Sequence, residues 1–238
     1  MQLPAHDLNH LRLQINAATA ALGMNQMVND DAFDALVWCL QHTAKGMYAE
    51  LQQITGNEDE PMIDGENEGI PVRPMKLPPT ASTKADPLMF GFPFAVAPLS
   101  SNLTLDEAHE YLTSMVSVAV YNMGLSRHTQ AHACKAGQHQ KLLLEARGLY
   151  LQSLKGLDEI VSLNPSGSLI MVYLAVCNNL AQVYDALNDA EKSTEWQQAL
   201  GQGILSVPPC LSSPVYRHFL NVSDCYGIDL EESYRQTR

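Results

Sequence analysis

The chain has 238 residues, of which 46% are hydrophobic, and this is long enough for one generous domain or two small ones with a sizeable core. Its formal net charge of −12 argues against nucleic-acid binding and against adsorption to anionic membranes, because both need a basic surface. The five cysteines form no C-x-x-C pair and the N-terminus lacks an apolar export core, so we expect reduced thiols in an intracellular protein, cytoplasmic or alternatively nuclear.

An N-terminal helical hairpin is predicted for residues 1–55. Asp7 can cap a first helix, whose apolar residues recur at helical spacing as far as Gly23. A second helix is predicted from about residue 30 to Gly56, with apolar residues at the same spacing. The two helices are expected to pack antiparallel.

Residues 56–104 differ in composition from the rest of the chain. Acidic residues, Pro and Gly dominate 56–87, which predicts a disordered insertion because such a segment buries too little apolar surface to offset the entropy of ordering. The run PLMFGFPFAVAP (87–98) is apolar and aromatic, but Pro93 excludes a regular helix and disfavours a central strand. We expect this run to be extended and docked against the helices, because in water it would form a large apolar patch.

Further helices are predicted in 105–227, ahead of a polar tail at 228–238. Thr104 and Glu107 form a capping box for the first of these helices, and Pro214 favours the start of the last. The predicted spans are about 105–128, 139–163, 168–187, 189–205 and 213–225.

One stretch, AVCNNLAQVYDALNDAEKSTEWQQAL (175–200), carries a repeat signal. A large apolar residue with a small neighbour is followed by an aromatic residue, a turn and a second small residue. These roles fall to Leu180, Ala181, Tyr184, Asn188–Asp189 and Ser193, with Trp196 near a second aromatic position. The pattern resembles the tetratricopeptide repeat (TPR), although Ser193 replaces the usual alanine and Trp196 stands one place early. Ala181 would let the partner helix approach closely, Asn188 suits a left-handed helix exit, and Asp189 can cap the next helix.

A looser copy of the repeat lies upstream. Asn122-Met123-Gly124 aligns with Asn179-Leu180-Ala181, 57 residues later, against a usual TPR period of about 34. Arg127 occupies the aromatic position of this copy, and NDDAFDAL (29–36) is the candidate centre of a third, degenerate repeat. The stretches YNMGLSRH (121–128) and YLAVCNNLAQVY (173–184), which follow the long acidic insertion, are similar to families of helical-repeat proteins in diatoms.

The resemblance implies an all-α fold, in which antiparallel helical hairpins stack as a short TPR-like solenoid interrupted by the disordered insertion. It also implies a protein–protein interaction scaffold or adaptor, without catalysis or cofactor, that binds a peptide in a groove lined by the first helix of each repeat. The aligned groove positions are Tyr121, Leu125, His128, Asn178, Gln182 and Asp185. Because Asp185 would repel an acidic ligand, a basic or apolar partner is expected.

A different function is suggested by QHTAKG (41–46). His42, Lys45 and Gly46 resemble the phosphorylated-histidine motif of histidine-phosphotransfer domains, in which a helical His carries the phosphoryl group. The resemblance implies that His42 would be the phosphorylated residue of a phosphorelay protein. That family's domain is an independent four-helix bundle, whereas here the acidic insertion begins about ten residues after Gly46.

The stretch RHTQAHACKAGQH (127–139) invites a metal-site interpretation. On a continuing helix His128 and His132 would share a face, whereas Cys134 would point elsewhere and His139 follows Gly137. We therefore expect no metal here, but an enlarged connection between two helices, with only His128 on the groove face.

Overall fold

The computed structural model describes residues 5–24, 72–74, 88–98, 105–134, 136–163, 167–207 and 214–228. Within these ranges the chain is mostly helical, which confirms the predicted all-α class. The helices are α1 (Ala5–Met24), α2 (Leu105–Ala133), α3 (Ala136–Leu163), α4 (Gly167–Ala186), α5 (Ala190–Ser206) and α6 (Pro214–Cys225). Two short strands, β1 (Val72–Pro74) and β2 (Phe94–Val96), form an antiparallel pair.

The helices pack as two hairpins with further helices at either end. α2 packs chiefly against α3, and α4 against α5, as short connections between successive helices favour. α3 also contacts α4, which joins the two hairpins. α2 lies between α1 and α4, and α6 closes the C-terminal end against α4 and α5. α1, α2 and α4 therefore lie side by side, and the candidate site is built on these three helices.

The turn between α4 and α5 has the predicted chemistry. Asn188 adopts a positive φ of 61°, and the Asp189 carboxylate caps α5 by accepting from the Lys192 amide at 3.1 Å. The Ser193 hydroxyl donates to the Ala181 carbonyl at 3.0 Å, so the two helices approach closely at the small residue. The left-handed exit, the cap and the close approach are all confirmed.

The connection between α2 and α3 is much shorter than predicted. α2 continues to Ala133 and α3 begins at Ala136, so the expected enlarged connection over 127–139 is wrong. His128 and Ala131 are buried, and Arg127 pairs with Glu145 of α3 at 3.2 Å. The added residues include Gln130, Ala131 and Ala133, which favour a helix, and the burial of Ala131 and this ion pair hold the end of α2 against α3.

The acidic insertion is not disordered throughout. Val72–Pro74 forms β1, opposite β2, because its backbone pairs with the apolar run that follows the insertion. The rest of 56–87 lies outside the described residues. The predicted second helix, from about 30 to 56, lies outside them as well.

α4 is apolar enough to be compared with a membrane helix. Its window Leu169–Ala186 passes a test of length and composition for a membrane span, but 78% of that window is buried inside the fold. The position of α4, in contact with α2, α3, α5 and α6, accounts for its apolar character as a core helix.

A candidate peptide-binding groove

An extended segment, residues 88–98, crosses α4, α2 and α1 in that order. We call it the docked segment. Most of its side chains are buried, and β2 lies within its C-terminal half. The prediction of an extended run docked against the helices is confirmed.

Three asparagines hold the backbone of the docked segment. Each carboxamide accepts a hydrogen bond from the N–H of one segment residue and donates one to the C=O of the same residue. The pairs are Asn179 of α4 with Phe90 (2.9 and 3.1 Å), Asn122 of α2 with Phe94 (2.9 and 2.8 Å) and Asn16 of α1 with Val96 (3.1 and 2.9 Å). A carboxamide can do this because it carries both an acceptor and a donor. These side chains thus take the place of a neighbouring β-strand.

The three asparagines share one sequence context. Each is followed two residues later by a small residue: Ala18, Gly124 and Ala181 respectively. A Cβ at Gly124 would come within 2.9 Å of the Tyr150 ring of α3, so the small residue allows the helix pair to close. The Asn-x-small pattern was available in the sequence for all three helices. The repeat alignment used it for Asn122 and Asn179 but missed Asn16.

Every second residue of the docked segment, from 88 to 96, forms hydrogen bonds between its backbone and side chains of the helices. The carbonyl of Leu88 accepts from Asn178 Nδ2 at 2.9 Å, and the carbonyl of Phe92 accepts from the Tyr121 hydroxyl at 3.3 Å. Together with the three residues held by asparagines, every second residue from 88 to 96 is bonded in this way, which matches the two-residue period of a strand. Ala95 falls on the opposite edge, where its register partner is Arg73 of β1.

Pro93 is compatible with this arrangement because it also occupies an opposite-edge position. It has no N–H to donate, and the helices bind the backbone groups of the residues on either side of it, Phe92 and Phe94. The expectation that Pro93 disfavours a central strand is met, since β2 begins one residue later.

Two phenylalanines anchor the docked segment in the core. Phe90 and Phe94 are 0% and 1% exposed, and their rings stack with centroids 5.5 Å apart. The Phe90 ring also meets Phe219 of α6 at 5.0 Å, and the Phe94 ring meets Tyr121 at 5.4 Å. These separations are typical of favourable aromatic pairs. Phe92, between them, is 49% exposed.

A second set of polar groups fixes the orientation of Asn179. Its Nδ2 also donates to the Tyr150 hydroxyl at 3.2 Å, so that hydroxyl has its proton free to donate to His128 Nδ1, 3.4 Å away. Burial raises the pKa of Tyr150 and lowers the pKa of His128 to about 3, the latter with help from nearby His132 and His139. Both groups are therefore uncharged at neutral pH, and the network carries no net charge into the core.

The six residues predicted for the groove lie in different environments. Tyr121 and Asn178 bond to the docked segment, whereas Gln182 bonds to the Tyr226 hydroxyl. Leu125 and His128 are buried in the fold. Asp185 is exposed near the end of α4. The main contact between α4 and the docked segment is thus made by Asn179, which bonds to both backbone groups of Phe90, and not by the predicted Asn178.

The histidines at the junction of α2 and α3 make ring contacts, of which His128 with His132 is stacked and His132 with His139 is edge-on. The His128 and His132 rings have centroids 5.0 Å apart, and the His132 and His139 rings 6.4 Å. His139 Nδ1 is 2.8 Å from the Ala131 carbonyl. Within the described ranges, no group of three or more His, Cys, Asp or Glu residues is placed to hold a metal ion. His42 lies outside those ranges.

No family model, curated protein or solved structure matches this chain.

Proposed function

We propose that the chain is a protein-interaction scaffold built from TPR-like helical hairpins. Its groove, the face of α1, α2 and α4 that carries Asn16, Asn122 and Asn179, binds an extended peptide of a partner protein, without catalysis. The observation that supports this most is that each of these asparagines holds both backbone groups of one residue in an extended peptide.

Such contacts suit peptide recognition because they bind the backbone N–H and C=O groups of an extended chain, whatever its side chains are. Main-chain hydrogen bonds supply affinity for any extended chain, while side-chain pockets supply specificity, as when a peptide adds a strand to a sheet edge. The groove makes its backbone bonds with side chains from three helices, so helix packing sets their spacing. A scaffold of this kind is preorganised for its ligand.

The docked segment acts as a ligand supplied by the same chain. Because it is covalently attached, its effective concentration at the groove is on the order of millimolar, so it competes strongly with a peptide from another protein. Partner binding is then limited by the fraction of molecules in which the segment has left the groove. Weakening the segment should raise the affinity for an external peptide.

The test uses a labelled synthetic peptide, PLMFGFPFAVAP, and the full-length chain. The acceptor carries Phe90→Ala and Phe94→Ala, which remove the anchors of the segment but leave every groove asparagine in place. Fluorescence anisotropy should show saturable binding to this acceptor and much weaker binding to the wild type.

The matched control adds Asn122→Ala and Asn179→Ala to the same acceptor. It should lose binding, because the peptide then lacks the carboxamide partner at two of the three residues that Asn16, Asn122 and Asn179 hold. Circular dichroism verifies that both proteins remain helical. Equal binding to the acceptor and its control, or no binding up to a concentration on the order of 100 μM, contradicts the proposed function.

A further inference from the structure

The pockets beneath the docked segment restrict which peptides the groove accepts. We infer that the partner supplies an uncharged, extended peptide with two aromatic residues four positions apart, of which Phe90 and Phe94 are the copy within this chain. The inference rests on the proposed function and adds the chemical class of the ligand.

The rings around Phe90, which belong to the segment and to α6, favour an aromatic residue at the first anchor position of a bound peptide. Phe90 lies 5.3 Å from the His218 ring, in an edge-on arrangement, and 5.0 Å from Phe219. It is fully buried, so a smaller residue there would leave a cavity. A pocket walled by flat rings favours another flat ring.

The second aromatic position is followed by two tightly packed small or aliphatic residues. Phe94 packs against the Tyr121 ring, which is itself fully buried. Ala95 and Val96 are 3% and 1% exposed, so larger side chains would have to displace their neighbours. The second aromatic residue is therefore expected to precede a small residue and an aliphatic one.

The described groups that contact the docked segment offer no opposite charge to compensate a charge on the ligand. Among the residues that the structure describes, the side chains that bond to the backbone of the docked segment are all asparagine or tyrosine, both uncharged. Burial lowers the pKa of His218, which keeps the ring beside Phe90 neutral. An Asp, Glu, Lys or Arg at either anchor position would be buried without a partner, which is strongly unfavourable. Asp185 led to the expectation of a basic or an apolar ligand, and of these two classes the apolar one fits these pockets.

Two positions of the ligand are free to vary. The side chain at Phe92 is half exposed. A Cβ added at Gly91 would meet only the Met89 Cε atom, at an ordinary 3.9 Å, and the backbone there is not in the left-handed region. A partner peptide with another residue in place of Gly91 would lose less backbone entropy on binding than the chain's own segment does. This gives an external ligand a way to compete with the docked segment.

A partner protein is a better occupant than a second copy of this chain. Exchange of docked segments between two copies would create the contacts that each copy already has. It would also give up the high effective concentration of the attached segment. A ligand of different sequence can improve on those contacts, as the Gly91 position illustrates.

The test is a peptide series measured against the full-length acceptor that carries Phe90→Ala and Phe94→Ala. The reference peptide is PLMFGFPFAVAP. Replacing either anchor phenylalanine of the peptide by Ala should weaken binding by at least about tenfold, because a buried aromatic side chain is lost. Replacing the anchor equivalent to Phe94 by Asp should weaken it further. The matched control replaces the half-exposed phenylalanine equivalent to Phe92 by Ala and should change affinity by no more than about threefold.

A peptide with Ala in place of Gly91 completes the series and should bind at least as tightly as the reference. If circular dichroism shows that the double variant is unfolded, the peptide series is measured instead against the single Phe94→Leu acceptor, which keeps most of the apolar volume. Light scattering of the wild type should give a monomer, and a dimer that disappears in the Phe90→Ala, Phe94→Ala acceptor would indicate exchange between copies and overturn the inference.

The outcomes separate the two proposals. If all three phenylalanine replacements weaken peptide binding equally, or if the Asp peptide binds as tightly as the reference, the inferred ligand class is wrong but the scaffold function is not affected. Failure of every peptide to bind either acceptor overturns the scaffold function, and the ligand class with it.

Discussion

Asn122 holds both backbone groups of Phe94: its Oδ1 accepts from the Phe94 N–H at 2.9 Å and its Nδ2 donates to the Phe94 C=O at 2.8 Å. The second Nδ2 proton reaches the Thr19 hydroxyl of α1 at 3.1 Å, so one carboxamide joins the docked segment to two helices. All of these groups are buried. The carboxamide therefore stabilises the fold as well as forming part of the groove.

Replacing Asn122 by Ala should lower the free energy of unfolding by about 2–4 kcal/mol, because the N–H and C=O of Phe94 would be left buried without partners. Urea unfolding measures the change. The matched control is Asn221→Ala, since Asn221 shares the Asn-x-small pattern but is exposed on α6. The control should change stability by less than about 0.5 kcal/mol, and equal effects of the two substitutions would show that the Phe94 contact contributes little.

Two helical glycines should respond to alanine with opposite signs. Gly124→Ala places a Cβ within 2.9 Å of the Tyr150 ring, which is fixed by its bond to Asn179, so stability should fall by about 1–2 kcal/mol. Gly148→Ala meets nothing within 4 Å and should raise stability by roughly 0.5–1 kcal/mol through helix propensity. Thermal and urea unfolding of the pair test this, and a shift of the same sign in both would contradict the close approach at Gly124.

Stability should decrease in mild acid because of His128. Its pKa is about 3 in the folded protein, mainly through burial, and near the ordinary value of 6.5 in the unfolded chain. Between these two pKa values the unfolded chain therefore binds a proton at His128 that the folded protein does not bind. The contribution of His128 is fully present above about pH 6.5 and is lost at about 1.4 kcal/mol per pH unit as the pH falls below that value.

The measurement is urea unfolding of the wild type and of His128→Gln at several pH values between about 5 and 7.5. The variant removes the titrating group, so its stability should depend less on pH over this range, whatever its stability at neutral pH. The depressed pKa of His218 leaves a residual dependence in both proteins. Parallel pH profiles would mean that His128 is not buried as a neutral ring.

The described cysteines should differ sharply in reactivity. Cys177 is fully buried in α4, and burial raises the pKa of its thiol to about 12, so almost no thiolate is present at neutral pH. Cys225 is exposed at the end of α6. Iodoacetamide should modify Cys225 in the native protein and Cys177 only in urea, as peptide mapping by mass spectrometry can show. Modification of both at similar rates under native conditions would contradict the packing of α4.

Local signals in the sequence determined much of the helical structure. The capping Asp189 and the left-handed Asn188 set the turn between α4 and α5, because caps and turns depend on the backbone of a few adjacent residues. The apolar, aromatic character of 87–98 required burial, and Pro93 excluded a helix, so a docked extended segment followed from composition alone.

Only the tertiary structure decided where that segment lies and which residues bind it. Asn122 and Phe94 are 28 residues apart in sequence, and Asn179 and Phe90 are 89 apart. Hydrophobic periodicity identifies the apolar face of a helix, but not which other face will meet a distant strand. For this reason the sequence predicted Asn178 for the groove, while packing made its neighbour Asn179 the main contact. The pairing of β1 with β2 has the same origin, because it depends on backbone contacts with a distant part of the chain and not on local propensity.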